Sequence, residues 1–219
     1  MLASALVEKA AVKAGLCVAG AVPDGLASMG LADLNRWYLY LWRLFPYREL
    51  VLADVSVSVA AGDGVVALPT ALDGILTVRD ANGALLPLCD ATAADFSPVY
   101  LLSSGTPCRY VALADGVDAD TKPVRRIRLA PMPSAALTLT VSGVRRFVEL
   151  AAADSILLSR CEGALYYFVL GEMYRFDANS AGCTEAFATG DALAAASVVN
   201  ETASAEADAQ QVPTESFFG

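Results

Sequence analysis

The hydrophobic period of this 219-residue sequence changes twice, and that change limits the possible folds more than any other feature. Over residues 1–50, apolar residues recur every three or four positions, which is typical of α-helices. Over residues 51–150 they alternate with polar residues, as in VSVSV at residues 55–59, which is typical of strands with one solvated face. Helical spacing returns from residue 161. The pattern predicts helices, then a block of strands, then helices.

Because helical segments lie on both sides of the strands, the simplest arrangement packs the two helical segments together. We predict an α+β fold in which the N- and C-terminal helices form a helical bundle with an inserted antiparallel β-sandwich or barrel domain. The predicted bounds are 1–50 and 155–205 for the bundle, 51–154 for the inserted domain and 206–219 for a flexible C-terminal tail. The ends of an inserted domain lie close together, as this arrangement requires.

Turn residues mark where the predicted strands reverse. Asn82-Gly83 lies between ILTVRD and ALLPL, and this dipeptide favours a type I′ hairpin turn because both central residues take positive φ. Further strands are predicted at CRYVALA, RRIRLA and LTLTVSG. Short strands separated by such turns are typical of a small sandwich or barrel.

The balance of apolar and charged residues is unusual for a water-soluble protein. Apolar residues make up 56% of the chain and charged residues only 18%. A membrane-spanning helix needs about 20 consecutive apolar residues, and charges such as Glu8, Arg36 and Glu172 interrupt each apolar run. We therefore expect no membrane segment, and we expect the apolar surplus to be buried between subunits.

The chain contains no histidine. This absence removes the Ser-His-Asp and Cys-His catalytic arrangements and the HExxH zinc site. Neither GxGxxG nor GxxxxGKS/T occurs, so no phosphate-binding loop is predicted. The five cysteines are widely spaced, without a CxxC pair, as expected of reduced thiols in a cytosolic setting. We expect a non-enzymatic protein that needs no cofactor and no metal.

The chain is acidic, with a formal net charge of −9 at pH 7. Tight non-specific binding to nucleic acid is therefore not expected. Asp115, Asp118 and Asp120 have a spacing superficially like that of a calcium loop, but the closing glutamate is missing, which favours a solvated loop.

The stretch LNRWYLYLWRLFPYREL, residues 34–50, holds both tryptophans of the chain and two arginines. A helix that is apolar on nearly every side cannot lie exposed on a monomer. A core position is the favoured interpretation for Tyr38, Leu41, Trp42 and Phe45. Aromatic residues and arginine are also enriched at protein interfaces. On this ground we predict subunit-interface positions for Arg36, Trp37, Tyr40 and Arg43.

Two further segments are candidate contact surfaces. Arg126 and Arg128 belong to a cluster of arginines in an acidic chain, and on one strand face they would form a ladder that meets acidic neighbours or phosphate. The alternative is a charged edge strand that prevents aggregation. The polar tail ends in two phenylalanines, and such tails often order on a partner. The predicted partner-binding residues of the tail are Glu215, Ser216, Phe217, Phe218 and Gly219.

Several stretches, taken in order, resemble the head-to-tail adaptor proteins of tailed bacteriophages, also called connector or tail tubular-like proteins. They are LADLNRWYLYLWRLFPYREL, GDGVVALPTALDGILTVRD, GTPCRYVALAD, IRLAPMP and DSILLSRCEGALYYFVLGEMYRFD. The likeness covers most of residues 1–205. In that family a Leu-Asn pair precedes tryptophans, a strand leads to a proline-ended turn, and a late helix is rich in aromatic and acidic residues.

The resemblance implies a ring, usually a dodecamer, in the neck of a virion assembled in the host cytoplasm. Such a ring docks under the portal protein, binds a tail or stopper protein on its other side, and extends a channel through which DNA passes without specific binding. By the same resemblance, Leu34-Asn35 with Trp37 and Trp42 would belong to the helical body. Phe217 and Phe218 would contact the portal.

Two other functions remain open at the level of sequence. One is a different virion component of similar composition, such as a stopper or a minor capsid-decorating protein. The other is a small histidine-free enzyme that uses Asp and Arg in a cleft of the β domain, for which a carboxylate pair in a deep pocket would be the sign.

Overall fold

A computed structural model describes residues 1–44, 47–89, 103–118 and 121–210 of the chain, with side chains as far as residue 200. The chain divides into two compact units. We call Met1–Glu49 with Val148–Gly219 the helical unit, and Leu50–Phe147 the β unit. Helices and mostly antiparallel sheets occur together, so the predicted α+β class is confirmed.

Four described α-helices lie in the helical unit. They are α1 (Ala3–Lys13), α2 (Asp24–Leu44), α3 (Glu162–Phe176) and α4 (Ser180–Gln210), with short 3-10 helices at Arg48–Leu50 and Ser159–Cys161. Helix α1 ends at Lys13, because Gly15 takes a φ of +80° that a helix does not accept. Helix α4 continues to Gln210, past residue 206 where we predicted a tail, since alanine favours helix.

Helix α2 buries one side, at Gly30, Leu34, Tyr38 and Leu41. This four-residue spacing is the period that the sequence predicted. The core positions of Tyr38 and Leu41 are confirmed, whereas Trp42 is only half-buried, with its ring edge-on to Tyr38. Phe45 lies outside the described residues.

Asn35 ties α2 to the chain that leads into α3. Its side-chain amide donates to the Leu150 carbonyl at 3.0 Å, and its side-chain oxygen accepts from the Leu150 N–H at 2.7 Å. One asparagine thus satisfies both backbone groups of a residue that has no strand partner, which gives the Leu34-Asn35 pair a structural role.

Helices α3 and α4 pack through two reciprocal contacts between a phenylalanine and a glycine. A Cβ added to Gly190 would lie 2.8 Å from the Phe168 ring, and one added to Gly171 would lie 2.9 Å from the Phe187 ring. Gly171 of α3 and Gly190 of α4 therefore let the two helices approach closely. Phe176, the last residue of α3, is 64% exposed.

The described strands of the β unit form three sheets. The strands are β1 (Val51–Val59), β2 (Val65–Ala67), β3 (Leu72–Arg79), β4 (Leu85–Leu86), β5 (Ser104–Gly105), β6 (Arg109–Val117), β7 (Pro123–Ala130), β8 (Met132–Pro133) and β9 (Leu137–Arg145). The sheet orders are β1-β9-β3-β4, β2-β7-β6 and β5-β8, and only the β5-β8 pair is parallel.

Alternate side chains of these strands point into one apolar core. Val57 and Val59 of β1 pair with Leu139 and Leu137 of β9, and Ile127 of β7 lies in the same core. The serines and threonines between them remain solvated, as the alternating pattern predicted.

The hairpin between β3 and β4 has a different turn from the one predicted. Only Gly83 has positive φ, at +82°, whereas a type I′ turn needs positive φ at Asn82 as well. The Asp80 carboxylate accepts the N–H groups of Asn82 and Ala84 at 2.9 and 2.8 Å. Such bonding of an aspartate side chain to nearby backbone N–H groups favours a wider turn, which here ends in one left-handed glycine, Gly83.

Candidate functional site

A buried carboxylate organises one surface of the helical unit. Glu172 of α3 is only 7% exposed. One of its oxygens accepts from the Arg36 guanidinium at 2.5 Å and from the Trp37 indole N–H at 3.3 Å, and the other accepts from Arg175 at 2.9 Å. A buried charge needs such partners, because an unpaired one would cost several kcal/mol.

Aromatic rings surround this carboxylate. Trp37 stacks on Phe168 with centroids 4.3 Å apart and planes 12° apart, and Tyr40 meets both rings edge-on. The guanidinium of Arg36 lies 5.6 Å from the Trp37 ring, and that of Arg175 lies 5.1 Å from the Phe187 ring. Each arginine is therefore held by a carboxylate and by a ring face. We call Arg36, Trp37, Tyr40, Glu172 and Arg175 the arginine-aromatic surface.

Asp33 completes the charge balance of this surface. Its carboxylate lies 3.1 Å from the Arg36 guanidinium, one helical turn away. Burial raises the pKa of the Asp33 carboxyl above its usual value; the Arg36 charge opposes this rise and the Glu172 charge adds to it. Ionised Asp33 is thus less favourable in the folded chain than in water.

The arginine-aromatic surface remains accessible although its groups are paired. The side chains of Arg36 and Arg175 are 56% and 61% exposed, and Tyr40 is 44% exposed. Polar and charged side chains are thus exposed beside aromatic rings. This combination is typical of the anchors that protein partners bind.

The four predicted interface residues of α2 lie on one side of the helix, because Arg36, Tyr40 and Arg43 are four and three residues apart and Trp37 follows Arg36. Arg43 is exposed near the end of the helix. Trp37 is half-buried and packs against α3 of its own chain, so only part of its ring faces outward. The interface role of these residues remains a prediction.

Arg126 and Arg128 lie on the same face of β7, as their two-residue spacing requires. The alternative of a charged edge strand is wrong for β7, because this strand lies between β2 and β6. Arg126 donates to the Ala114 carbonyl at 3.1 Å. The two arginines therefore lie on the face of a sheet and not at its margin.

The neighbouring arginine has a structural partner on the opposite face. Arg125 donates to both carboxylate oxygens of Asp115, at 2.9 and 3.0 Å, and lies 3.5 Å from Asp73. Asp118 accepts the Lys122 N–H at 2.8 Å and so closes a turn. The solvated-loop interpretation is wrong for Asp115, which lies within β6 and pairs with Arg125, whereas Asp118 follows the strand and Asp120 lies outside the described residues.

The predicted portal-binding residues Glu215, Ser216, Phe217, Phe218 and Gly219 also lie outside the described residues. Their role remains a prediction.

Neither a metal-ligand cluster nor a disulfide occurs in the described part of the chain. No group of three or more Cys, Asp or Glu side chains lies close enough to hold a metal ion there, and none of the five cysteines forms a disulfide. A pocket of about 340 Å³ in the helical unit has Glu8 as its one titratable group, and Glu8 accepts the Gly20 N–H at 2.6 Å.

No described helix combines the length and apolar character needed to cross a membrane.

Sequence reasoning missed the central residue of the arginine-aromatic surface. From the sequence, Glu172 is recognisable only as a charge that interrupts an apolar run. A single glutamate within the otherwise apolar segment YYFVLGEMY, followed by Arg175 one turn later, is the signal that could have identified it. Its partner Arg36 lies 136 residues away, and the spacing within either helix does not reveal that pairing.

The arginine-aromatic surface is thus an exposed surface of the kind that protein partners bind. Residues 18–215 match the model of the SU10 adaptor protein family. Because this match covers most of the chain, the chain belongs to the SU10 adaptor protein family, which consists of bacteriophage head-to-tail adaptors. The resemblance found in the sequence is thereby confirmed. No curated protein matches the chain.

Family membership gives the protein a structural role among the head and tail proteins of a phage virion.

Proposed function

We propose that the chain forms a homo-oligomeric ring of twelve copies in the virion neck, where it joins the portal protein to a tail or stopper protein. In this proposal the helices form a bundle that carries the β unit as an inserted domain, and the ring extends the DNA channel. The observation that carries the proposal is the family match over residues 18–215. The protein acts mechanically and not as an enzyme.

The surface of the single chain supports self-association. Large apolar side chains that are more than 40% exposed occur throughout the helical unit, at Tyr40, Leu44, Leu157, Phe176 and Val199 among others. Ring subunits bury two lateral faces, and permanent interfaces are large and more apolar than transient ones. Burial of this surface between neighbouring copies would stabilise the assembly by about 25 cal/mol for each Å² of apolar area removed from water.

The net charge agrees with a channel that DNA crosses without binding. At −9 per chain, an acidic wall repels phosphate within roughly 10 Å at 0.1 M salt. Repulsion of this range prevents tight capture and leaves DNA free to slide.

Native mass spectrometry of the full chain, alone and mixed with rings of the portal protein from the same phage, tests the proposal. We expect complexes in which about twelve copies bind one portal ring. A chain that stays monomeric under both conditions would refute the ring.

The tail assignment has a separate test. Deletion of residues 215–219 is expected to leave the circular dichroism spectrum unchanged and to weaken co-sedimentation with portal rings. The variant Phe217→Ser/Phe218→Ser keeps the length of the tail and is expected to have the same effect, because the aromatic rings are the proposed anchors. Unchanged co-sedimentation of both variants would exclude the tail from the portal contact.

The helical interface can be tested at Arg43, which is exposed near the end of α2. Arg43→Glu is expected to reduce ring formation without loss of stability. Lys13→Glu at the exposed end of α1 reverses a charge in the same way and serves as the matched control. Equal ring formation by the two variants would remove Arg43 from the interface.

A further inference from the structure

Charge is distributed unevenly along this sequence. After Arg175 the chain has seven acidic residues and no lysine or arginine. The β unit, in contrast, contains eight of the 15 basic residues, and Arg126 and Arg128 share one face of β7. The acidic C-terminal segment and the basic strand have opposite charge.

The strand register defines the surface around the two arginines. Arg128 pairs with Val65 of β2 and with the buried Val111 of β6, and Arg126 pairs with Ala67 of β2 and Leu113 of β6. Paired residues lie on the same face of a sheet, so these six residues share one face, of which Val111 is the buried member. The opposite face carries Val66, Ile127 and Leu129 of the core, which makes the arginine face the outward one. We call Val65, Ala67, Leu113, Arg126 and Arg128 the arginine face.

This face is ready to receive an anion and an apolar group. Val65 is 42% exposed. The Arg126 side chain lies across Gly116, where an added Cβ would be 2.9 Å from its Cδ and Nε atoms, and the Ala114 carbonyl fixes its Nε. Arg128 makes no ion pair or hydrogen bond with the described residues.

Helix α4 provides acidic groups without a partner. Glu185 and Asp191 are exposed and make no ion pair among the residues that the structure describes. Ser197, the last buried residue described in α4, donates to the Arg160 carbonyl at 3.2 Å, just before α3 begins. The helix continues from there to Gln210, about 20 Å at 1.5 Å per residue. Glu201, Glu206 and Asp208 belong to this extension.

We propose that the arginine face receives the acidic extension of α4, residues 198–210, from a second copy of this chain. The inference rests on the proposed ring, because a closed ring of identical subunits needs two different and complementary surfaces on each subunit. The cations of the arginine face and the acidic sequence of the extension have the opposite charges that this requirement needs. The partner is a protein surface and not DNA, since apolar Val65 and Leu113 flank only two arginines, whereas duplex binding relies on several phosphate contacts.

Charge reversal on full-length chains tests this contact. The face variant is Arg126→Glu/Arg128→Glu and the helix variant is Glu201→Lys/Glu206→Lys/Asp208→Lys. The variant Lys13→Glu/Arg79→Glu changes the net charge as much as the face variant does but touches neither surface. Self-association is measured by native mass spectrometry and sedimentation, at low and high salt, alone and on portal rings. If the face variant does not fold, Arg126→Gln/Arg128→Gln replaces it.

We expect the face variant and the helix variant each to associate roughly tenfold more weakly than the unchanged chain, because several exposed ion pairs become repulsive. The control is expected to associate normally. An equimolar mixture of the face and helix variants is expected to restore association, since every contact in an alternating ring then joins opposite charges. For the glutamine pair we expect a smaller loss, and its difference from the unchanged chain should narrow at high salt, because salt screens the ion pairs that only the unchanged chain makes.

The other outcomes overturn the inference in distinguishable ways. If both variants form rings as the unchanged chain does, this contact is wrong and the proposed ring stands. If each variant is impaired but their mixture is not restored, the contact does not join two copies. If the face variant assembles normally but loses affinity for a DNA duplex in fluorescence polarisation, the face binds phosphate. If the unchanged chain never associates, the proposed ring itself is wrong.

Discussion

Replacement of Gly190 by alanine tests whether the close packing of α3 on α4 holds the helical unit together. The added Cβ would lie 2.8 Å from two carbons of the Phe168 ring, whereas carbon atoms normally meet at about 3.5–4.0 Å. The ring cannot move away freely, because Phe168 is fully buried and Trp37 stacks on it at 4.3 Å. Either the helices separate or the stack is disturbed.

The expected magnitude follows from two opposing terms. Alanine in place of glycine within a helix gains up to about 1 kcal/mol, and overpacking of a buried site costs about 1–3 kcal/mol. Gly163→Ala in α3 is the matched control, because its Cβ would meet Leu193 at an ordinary 3.5 Å. We expect Gly190→Ala to be about 1–3 kcal/mol less stable than this control.

Urea unfolding followed by far-ultraviolet circular dichroism measures the difference, and each kcal/mol corresponds to roughly 2–4 °C in Tm. Phe168→Leu removes the ring edge, so the double variant with Gly190→Ala should lose less stability than the sum of the two single changes. The packing argument fails if Gly190→Ala is as stable as Gly163→Ala, or if the two changes are additive.

Three further changes have defined outcomes. Glu172→Ala should destabilise the helical unit in urea unfolding by about 1–3 kcal/mol, because its indole and guanidinium donors lose their acceptor; no loss would show that solvent replaces it. Because the pKa of Asp33 is raised in the folded chain, protonated Asp33 favours folding. This contribution to stability is present below the usual pKa of the carboxyl and is lost as pH rises through the raised pKa. Asp33→Asn should therefore raise the free energy of unfolding at neutral pH, with the gain absent in acid; a loss at neutral pH would show that the ion pair with Arg36 dominates. Gly83→Ala should cost about 1 kcal/mol at its φ of +82°, whereas Gly25→Ala, without positive φ and in open space, should not; equal stabilities would argue against strain in this turn.

Several parts of the fold could be read from local spacing. Leu139 and Val141 alternate with threonine and serine in the sequence, and both are buried in β9. Leu34, Tyr38 and Leu41 recur at helical intervals, and they are buried in α2. Such predictions succeed because the backbone repeat of a helix or strand decides which side chains share a face.

Other features depended on contacts between residues far apart in the chain. The sequence gives no sign that β7 lies between β2 and β6, because strand order is independent of the alternation within a strand. The turn at Asn82-Gly83 differs from the type I′ turn because the Asp80 side chain captures nearby N–H groups. Trp37 was assigned to a subunit interface on composition alone, while Phe168, on another helix, covers one side of its ring.

The sequence by itself determined the order of helices and strands, their inward faces and, through the order of its motifs, the adaptor family. Only the tertiary structure decided that Glu172 is buried and paired with Arg36, and that Gly190 lies against Phe168. The physical reason is that local periodicity follows from backbone geometry, whereas pairing and close contact depend on which distant surfaces the folded chain brings together.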